Sequence, residues 1–201
     1  MTPGTTSPLM DSDGKAAISA ALRFAAEAHD GQFRKGSRVP YLIHPLRVAK
    51  ILLDHGCAAE LAIAGLLHDT VEDTEVTVEE IRAIFGDTVA RLVEFATEPA
   101  KLWTWEQRKQ HTLRLLEVGE PEALCLSIAD KLDNVRSLRE DIERSGDKAW
   151  QRFKRPREKQ MWYYQSLQRI FDARLTQPPG SLLAAQFRAE VAAVFSAATT
   201  P

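Results

Sequence analysis

Residues 61–67 read Leu-Ala-Ile-Ala-Gly-Leu-Leu, and they run directly into His68, Asp69, Thr70, Val71, Glu72 and Asp73. A segment this apolar is a helix buried on most of its faces. It nevertheless leads, with no turn signal, into a histidine and three carboxylates. Charge inside a core is costly unless it is paired or bound to a metal. Any fold for this chain must therefore bring a counter-charge to the end of its most apolar helix. If that helix continues through Asp73, at about 100° per residue, His68, Asp69, Glu72 and Asp73 share an arc of about 140°. Carboxylates so close repel one another and require a cation or a shared proton. A divalent metal meets the requirement.

The chain around this feature is long enough to build a core. With 201 residues, 44% of them hydrophobic and 27% charged, it has the composition of an ordinary globular domain. A net charge of -2 gives no overall field of the kind that marks a nucleic-acid or membrane binder. The opening MTPGTTSPLMDSDG lacks the basic start and continuous apolar run of a signal peptide. No stretch approaches the ~20 apolar residues of a membrane span. Cys57 and Cys125 sit among apolar neighbours without CxxC spacing and read as buried, reduced thiols. The expectation is a cytoplasmic protein that binds neither nucleic acid nor membrane.

Apolar residues recur at helical spacing almost throughout, and no segment alternates convincingly as a strand. Residues 1–13, rich in Thr, Ser, Pro and Gly, are expected to be loose. A helix is predicted from near Lys15 to Asp30, followed by the loop GQFRKGSRVP with Arg34, Lys35 and Arg38. HPLRVAKILLDHG reads as a complete helix, with Pro45 at its first position and Gly56 just past its end. The next helix begins near Ala58 and contains the buried run. Thr77 and Glu80 carry a capping-box signature, and Asp87 is expected to cap the helix after it. Further helices are predicted over residues 104–118 and 121–143, briefly after SGDKAW, in REKQMWYYQSLQRIF, and over 182–197. The fold class is therefore all-α. The reading divides it into a helical domain over 14–175 and, over 176–201, a linker with an alanine-rich terminal helix. That helix either packs in cis or makes a homodimer contact.

His68 and Asp69 offer a metal only two ligands. His44, immediately before Pro45, and Asp130 are candidates for others. Asp130 lies on a helix whose Leu124, Ile128, Leu132 and Val135 form an apolar stripe, and Asn134 follows one turn later. Two imidazoles and two carboxylates make a mixed nitrogen and oxygen set. Such a set suits manganese, iron or zinc better than calcium or magnesium.

The segments HPLRVA, LLHDTVEDT and ADKLDN, in that order, resemble the H…HD…D signature of the HD phosphohydrolase superfamily. FRKGSRVPYLIHP, with Phe33, Arg34, Lys35, Tyr41 and His44 in matching places, is similar to the alarmone hydrolases of the RelA/SpoT-homologue family, as are FGDTVARLV and ADKLDNVRSL. The resemblance spans roughly residues 15–170 and includes no segment like the synthetase half of long family members. It implies an HD-domain helical bundle acting as a small, stand-alone hydrolase of the 3′-pyrophosphate of (p)ppGpp, a small-molecule nucleotide. Carried over residue by residue, it implies that His44, His68, Asp69 and Asp130 ligate one Mn²⁺, with Fe²⁺ or Zn²⁺ as rivals. It further implies Glu72 and Asp73 as the pair handling the water nucleophile and its proton, and Arg34, Lys35 and Asn134 as substrate contacts. Two departures stand out. Asp133 occupies a position that is often aromatic or histidine in relatives. KLWTWEQRK replaces a lysine-rich connection, with Arg108 and Lys109 taking over its basic role.

The metal and phosphate residues would be shared by enzymes acting on adenosine alarmones such as ppApp or on the 2′-phosphate of NADPH, so those substrates remain open. A non-catalytic alarmone sensor is the alternative of a different class. A structural zinc module would need more cysteine. His29, His55 and His111 read as surface or helix-end residues, and the aromatics of MWYY as core.

Overall fold

The computed structural model describes residues 12–98 and 102–196, with side chains from residue 14 onward. The expectation for residues 1–11 lies outside the described residues, as does that for the end of the terminal helix at 197. Residue 12 already opens a helix. By their own contacts the described residues form two compact units, 12–34 with 39–97 and 35–38 with the remainder. No strand occurs among them, and none of their helices is long and apolar enough to cross a membrane.

The first unit comprises α1 (Ser12–Ala28), α2 (Ile43–Asp54), α3 (Ala59–Leu67), α4 (Thr70–Asp73), α5 (Val78–Phe85) and α6 (Asp87–Ala96). The apolar run is α3. All seven residues from Leu61 to Leu67 are buried, because α1, α2 and α6 all pack against this helix. Gly65 sets how closely α2 approaches. A Cβ there would lie 3.0 Å from Leu52 Cδ1 and 3.3 Å from the Ala49 backbone. Between α1 and α2 the chain turns back on itself. Phe33 and Pro40 form an isolated antiparallel bridge, with Arg34 N–H donating to the Val39 carbonyl at 2.9 Å and Tyr41 N–H to that of Gln32 at 2.9 Å.

Local signals in the sequence decide most helix ends. Thr77 caps α5 in a reciprocal box with Glu80, whose carboxyl is held below the usual range by the Thr77 backbone N–H and hydroxyl. Two expectations need correction. Pro45 is the third residue of α2, not the first, which it tolerates because the opening N–H groups of a helix have no intrahelical acceptor. Asp87 is the first residue of α6, not its cap. Gly86, at φ 88°, occupies the cap, while Asp87 pairs with Arg82 and Arg91, each at 3.1 Å.

The second unit comprises α7 (Trp105–Val118), α8 (Pro121–Ser145), a 3-10 turn at Gly146–Arg152, α9 (Arg157–Arg174) and α10 (Gly180–Phe195). Thr104 and Gln107 form a second capping box at the start of α7. The terminal helix α10 packs in cis, on α8 and α9. Its Phe187 is fully buried against Phe171 and Tyr164 of α9, at ring separations of 5.5 and 6.1 Å. Glu190 accepts from Arg136 at 3.3 Å and Arg139 at 2.7 Å, both on α8. Cys57 and Cys125 are buried free thiols, and burial pushes the Cys57 thiol up.

The tight α2–α3 crossing yields a test. Gly65→Ala must push Leu52 and the α2 backbone away. It is expected to cost about 1–3 kcal/mol in urea unfolding, whereas alanine at the open position Gly31 meets no neighbouring atom and costs only its backbone strain.

Candidate active site

The buried helix does not run on through the acidic segment. Its α-helical hydrogen bonding ends at Leu67, and α4 starts at Thr70. At the break the Thr70 hydroxyl donates to the Leu67 carbonyl at 2.7 Å, and His68 Nδ1 lies 2.9 Å from the Gly65 carbonyl. Both side chains therefore bond back onto the last turn of α3. The 140° arc of the continuous helix is therefore replaced by a break, with His68 and Asp69 at the break and Glu72 and Asp73 on the short α4.

The break organises a compact cluster. A carbonyl can only accept, so His68 Nδ1 carries the proton and Nε2 is left with its lone pair in the neutral ring. That Nε2 lies 3.1 Å from Asp69 Oδ2, and His44 Nε2 lies 3.5 Å from the same oxygen. The two imidazoles are 5.1 Å apart, and both are buried. Tyr41 donates its hydroxyl proton to Asp69 Oδ2 at 2.7 Å. Two imidazole nitrogens facing one carboxylate oxygen, that of His68 with its lone pair, are a good fit for a bound cation, and a carbonyl fixing the far ring nitrogen of His68 is the usual support for a metal-ligating histidine. The first unit thus brings His44, His68 and Asp69 together as a set able to hold a metal ion.

Glu72 is half-buried and Asp73 exposed, both on α4. The end of α4 is tied to the loop before α2, since Gln32 Nε2 donates to the Asp73 carbonyl at 3.1 Å. Gln32 Oε1 in turn meets His29 Nδ1 at 2.9 Å. His29 is a helix-end residue, as expected, but not a surface one. It is buried, with its ring 4.9 Å from that of Tyr41. The guanidinium of Arg34 lies over the Tyr41 ring at 5.9 Å.

In the second unit, Asp130 is buried on α8. It accepts from Asn134 Nδ2 at 2.5 Å and from Lys131 Nζ at 2.7 Å. Burial opposes the Lys131 charge, but Asp130, Tyr163 and Glu98 around it raise its pKa well above that of an ordinary lysine. Asp133, the departure from the family pattern, is fully inside α8's packed face. Lys131 and Asn134 also line a cavity of about 390 Å³, whose wall holds Lys35, Arg108 and Lys109 as well. Of the predicted substrate contacts, Lys35, Asn134 and Arg108 therefore share one cavity. Arg108 is already committed, donating to Glu98 at 3.0 Å, while Lys109 reaches the other Glu98 oxygen at 2.5 Å. Burial works against the Glu98 charge, but Lys109, Lys131 and Arg108 outweigh it and hold its carboxyl below the usual range.

Sequence reasoning missed Glu98, Gln32 and the role of Tyr41. Glu98 is a single acid after a helix and carries no pattern. Gln32 could have been suspected only from its place in the loop that leads to His44.

This geometry and the comparisons point the same way. The HD domain family matches residues 21–158, more than half of the chain, and the chain belongs to that family. Its relatives narrow the class. Over 123 residues, 60% of this chain, it is 45% identical to a guanosine-3′,5′-bis(diphosphate) 3′-pyrophosphohydrolase of Aquifex aeolicus. Over 133 residues, 65% of this chain, it is 43% identical to the MESH1 guanosine-3′,5′-bis(diphosphate) 3′-pyrophosphohydrolase of Xenopus tropicalis. It spans 18% of the length of the first protein and 73% of the second. Among solved structures, a metazoan orthologue of SpoT described as hydrolysing ppGpp superposes with a TM-score of 0.70 at 26% identity, covering 87% of this chain and 93% of that one.

Two predictions follow from these contacts. Tyr41→Phe removes the donor to Asp69 without changing the ring's packing, and is expected to weaken divalent-metal binding by about 10-fold or more, read by competition with a metal-sensitive dye. Glu98→Gln is expected to destabilise the fold by ~3 kcal/mol at pH 7 because it leaves two cations without their carboxylate. The Glu98 carboxyl is depressed on folding, so its contribution is complete above the ordinary glutamate value near ~4.3 and fades as pH falls through the lower folded value. Urea unfolding of variant and parent should therefore converge toward the acid end.

Proposed function

We propose that this chain is a cytoplasmic, metal-dependent phosphohydrolase that removes the 3′-pyrophosphate of a guanosine alarmone, converting (p)ppGpp to GDP or GTP and pyrophosphate. The observation that carries the proposal is the convergence of His44 Nε2, His68 Nε2 and the Tyr41 hydroxyl on Asp69 Oδ2. Support comes from the 43% identity to a protein named for this reaction, of which the chain spans 73%. In this reading Asp130 joins His44, His68 and Asp69 as the fourth ligand, following the order H…HD…D along the sequence. Mn²⁺ is the ion proposed, with Fe²⁺ or Zn²⁺ as alternatives compatible with the same donors.

The difficulty of the reaction is that water is a poor nucleophile and the pyrophosphate is an anion. A divalent ion lowers the pKa of its water and polarises a phosphoryl oxygen. The residues of the chain do the rest. Tyr41 holds Asp69 in a fixed rotamer, and the Gly65 carbonyl holds His68 in the tautomer that presents Nε2. Glu72 and Asp73 take the proton released as the water oxygen bonds to phosphorus. The bond from that phosphorus to the ribose 3′ oxygen breaks, and the proton returns to the 3′ oxygen as a hydroxyl. Arg34 supplies a planar, always-charged contact for phosphate or base, and Lys35 a mobile point charge. Asn134 and Arg108 complete the set of substrate contacts, supported by their place on one cavity wall.

The test is a substrate panel. Metal-stripped protein is reloaded with Mn²⁺ and given ppGpp, pppGpp, ppApp and NADPH separately, with products resolved by anion exchange. The expected result is pyrophosphate release from ppGpp and pppGpp. Asp69→Ala should abolish it, and Glu72→Gln should lower kcat by about 10²–10⁴-fold. Turnover of ppApp or NADPH alone would replace the substrate and keep the chemistry. Binding of ppGpp without turnover of any compound would leave a sensor.

A further inference from the structure

One buried imidazole of the first unit lies outside the metal-binding set. His29 directly follows α1, its N–H donating to the Ala25 carbonyl at 3.0 Å. Its ring is buried, and its Nε2 has no hydrogen-bond partner among the described residues. A buried acceptor left unmade is costly. An apolar ring would fill the same volume without that cost, so the use of the histidine lies in its other nitrogen. Nδ1 is 2.9 Å from Gln32 Oε1, and Gln32 Nε2 donates to the Asp73 carbonyl at 3.1 Å. These contacts fix their own polarity. A backbone carbonyl only accepts, so the amide nitrogen of Gln32 must face Asp73 and Oε1 must face His29. An amide oxygen also only accepts, so His29 Nδ1 carries the proton and Nε2 holds the lone pair.

The far end of this chain of contacts is α4, which carries Glu72 and Asp73. Its four residues form a single turn, too short to hold itself. The last carbonyls of a helix also have no intrahelical donor. The Thr74 N–H and hydroxyl both go to the Thr70 carbonyl, at 3.1 and 2.7 Å. The Asp73 carbonyl receives its donor from Gln32, 41 residues away in the sequence. Gln32 is itself anchored, its N–H donating to the His29 carbonyl at 3.1 Å and its carbonyl accepting from Tyr41 N–H at 2.9 Å. The turn before α2 therefore holds the acidic segment at both ends. Tyr41 holds Asp69 through its hydroxyl, and Gln32 holds Asp73 through its amide.

We infer that Gln32, oriented by His29, is a positioning residue for the Glu72–Asp73 pair: it fixes the end of α4 and so fixes where those carboxylates stand relative to His44, His68 and Asp69. The inference rests on the hydrolase reading for what the pair does. The tether itself has readouts that need no turnover.

The first is the tautomer. Long-range ¹H–¹⁵N correlation spectra of the full-length protein should show His29 protonated at Nδ1. The second is hydrogen exchange. Gln32→Ala and His29→Phe should each speed exchange of the Asp73 and Thr74 amides about tenfold, the size of one lost hydrogen bond. Mn²⁺ affinity should stay unchanged, because Tyr41 and the Gly65 carbonyl hold the metal-binding set separately. With ppGpp as substrate, both variants should lose about 10–100-fold in kcat while KM stays within about 3-fold. His29→Asn keeps an N–H near the Nδ1 position and should recover most of that rate. Asp30→Ala, at an exposed neighbour, should change none of these quantities. Gln32 is half-buried and can be truncated without opening the core, so the test survives if His29→Phe does not fold. An Nε2–H tautomer at His29, unchanged exchange of the α4 amides in Gln32→Ala, or full kcat despite faster exchange overturns the inference. A fall in Mn²⁺ affinity that matches the fall in kcat also overturns it, since the contact would then support the whole site rather than the acidic pair. If the parent protein cleaves nothing in the substrate panel, the hydrolase reading fails, and the tether is decided by the tautomer and the exchange rates.

Discussion

Asp69 Oδ2 is the point on which the chemistry of the first unit turns. One oxygen receives the Tyr41 proton and faces the Nε2 atoms of two buried imidazoles. The surrounding structure is arranged so that these groups can meet. α3 must be apolar on nearly every face because three helices cover it. Gly65 must lack a side chain so that α2, which carries His44, can come close. Where α3 stops, its Gly65 and Leu67 carbonyls meet the His68 ring and the Thr70 hydroxyl, which fixes both residues beside the cluster. The energetic objection to charge at the end of a core helix is met locally: Tyr41 donates to the Asp69 carboxylate and the ring nitrogens of His44 and His68 face it, an arrangement that suits a cation.

The second unit solves a different electrostatic problem. A cavity lined by many cations would expand through its own repulsion. Here buried or half-buried acids on neighbouring elements cancel most of that charge, with Glu98 serving two cations at once. The wall stays compact while keeping a modest positive surplus. Matched pairs hold the shape. Lowered carboxyl pKa values at Glu98 and Glu106 are the trace of this arrangement.

Much of this was legible in the sequence. Helical periodicity located α2, α5, α7, α8 and α9 to within a few residues, because their apolar stripes and caps are local properties. Thr77 with Glu80 is a clear instance. His44, His68 and Asp69 were legible as a group because an apolar helix ending in charge demands compensation. What could not be read was whatever depends on particular side-chain contacts. The break after Leu67 coincides with two side-chain to carbonyl hydrogen bonds that no propensity encodes. Asp87 looked like a cap because its residue type favours caps, but Gly86 takes the position through its positive φ. His29 reads in the sequence only as a surface or helix-end residue, because burial between a helix end and a loop leaves no periodic signature. Glu98 is a single polar residue whose meaning lies in distant partners.

The hairpin-like turn between Gln32 and Tyr41 has a consequence for how such a protein can diversify. Its two sides are pinned by backbone hydrogen bonds at Arg34–Val39 and Gln32–Tyr41, and Tyr41 then receives the His44 N–H at 2.9 Å. The residues between the pins are exposed. Because loop closure depends only weakly on length, substitutions or insertions between residues 35 and 38 would leave the backbone of Tyr41 and His44 where it is. The sequence of the turn's tip can then drift in evolution while the histidine-carboxylate cluster stays constant.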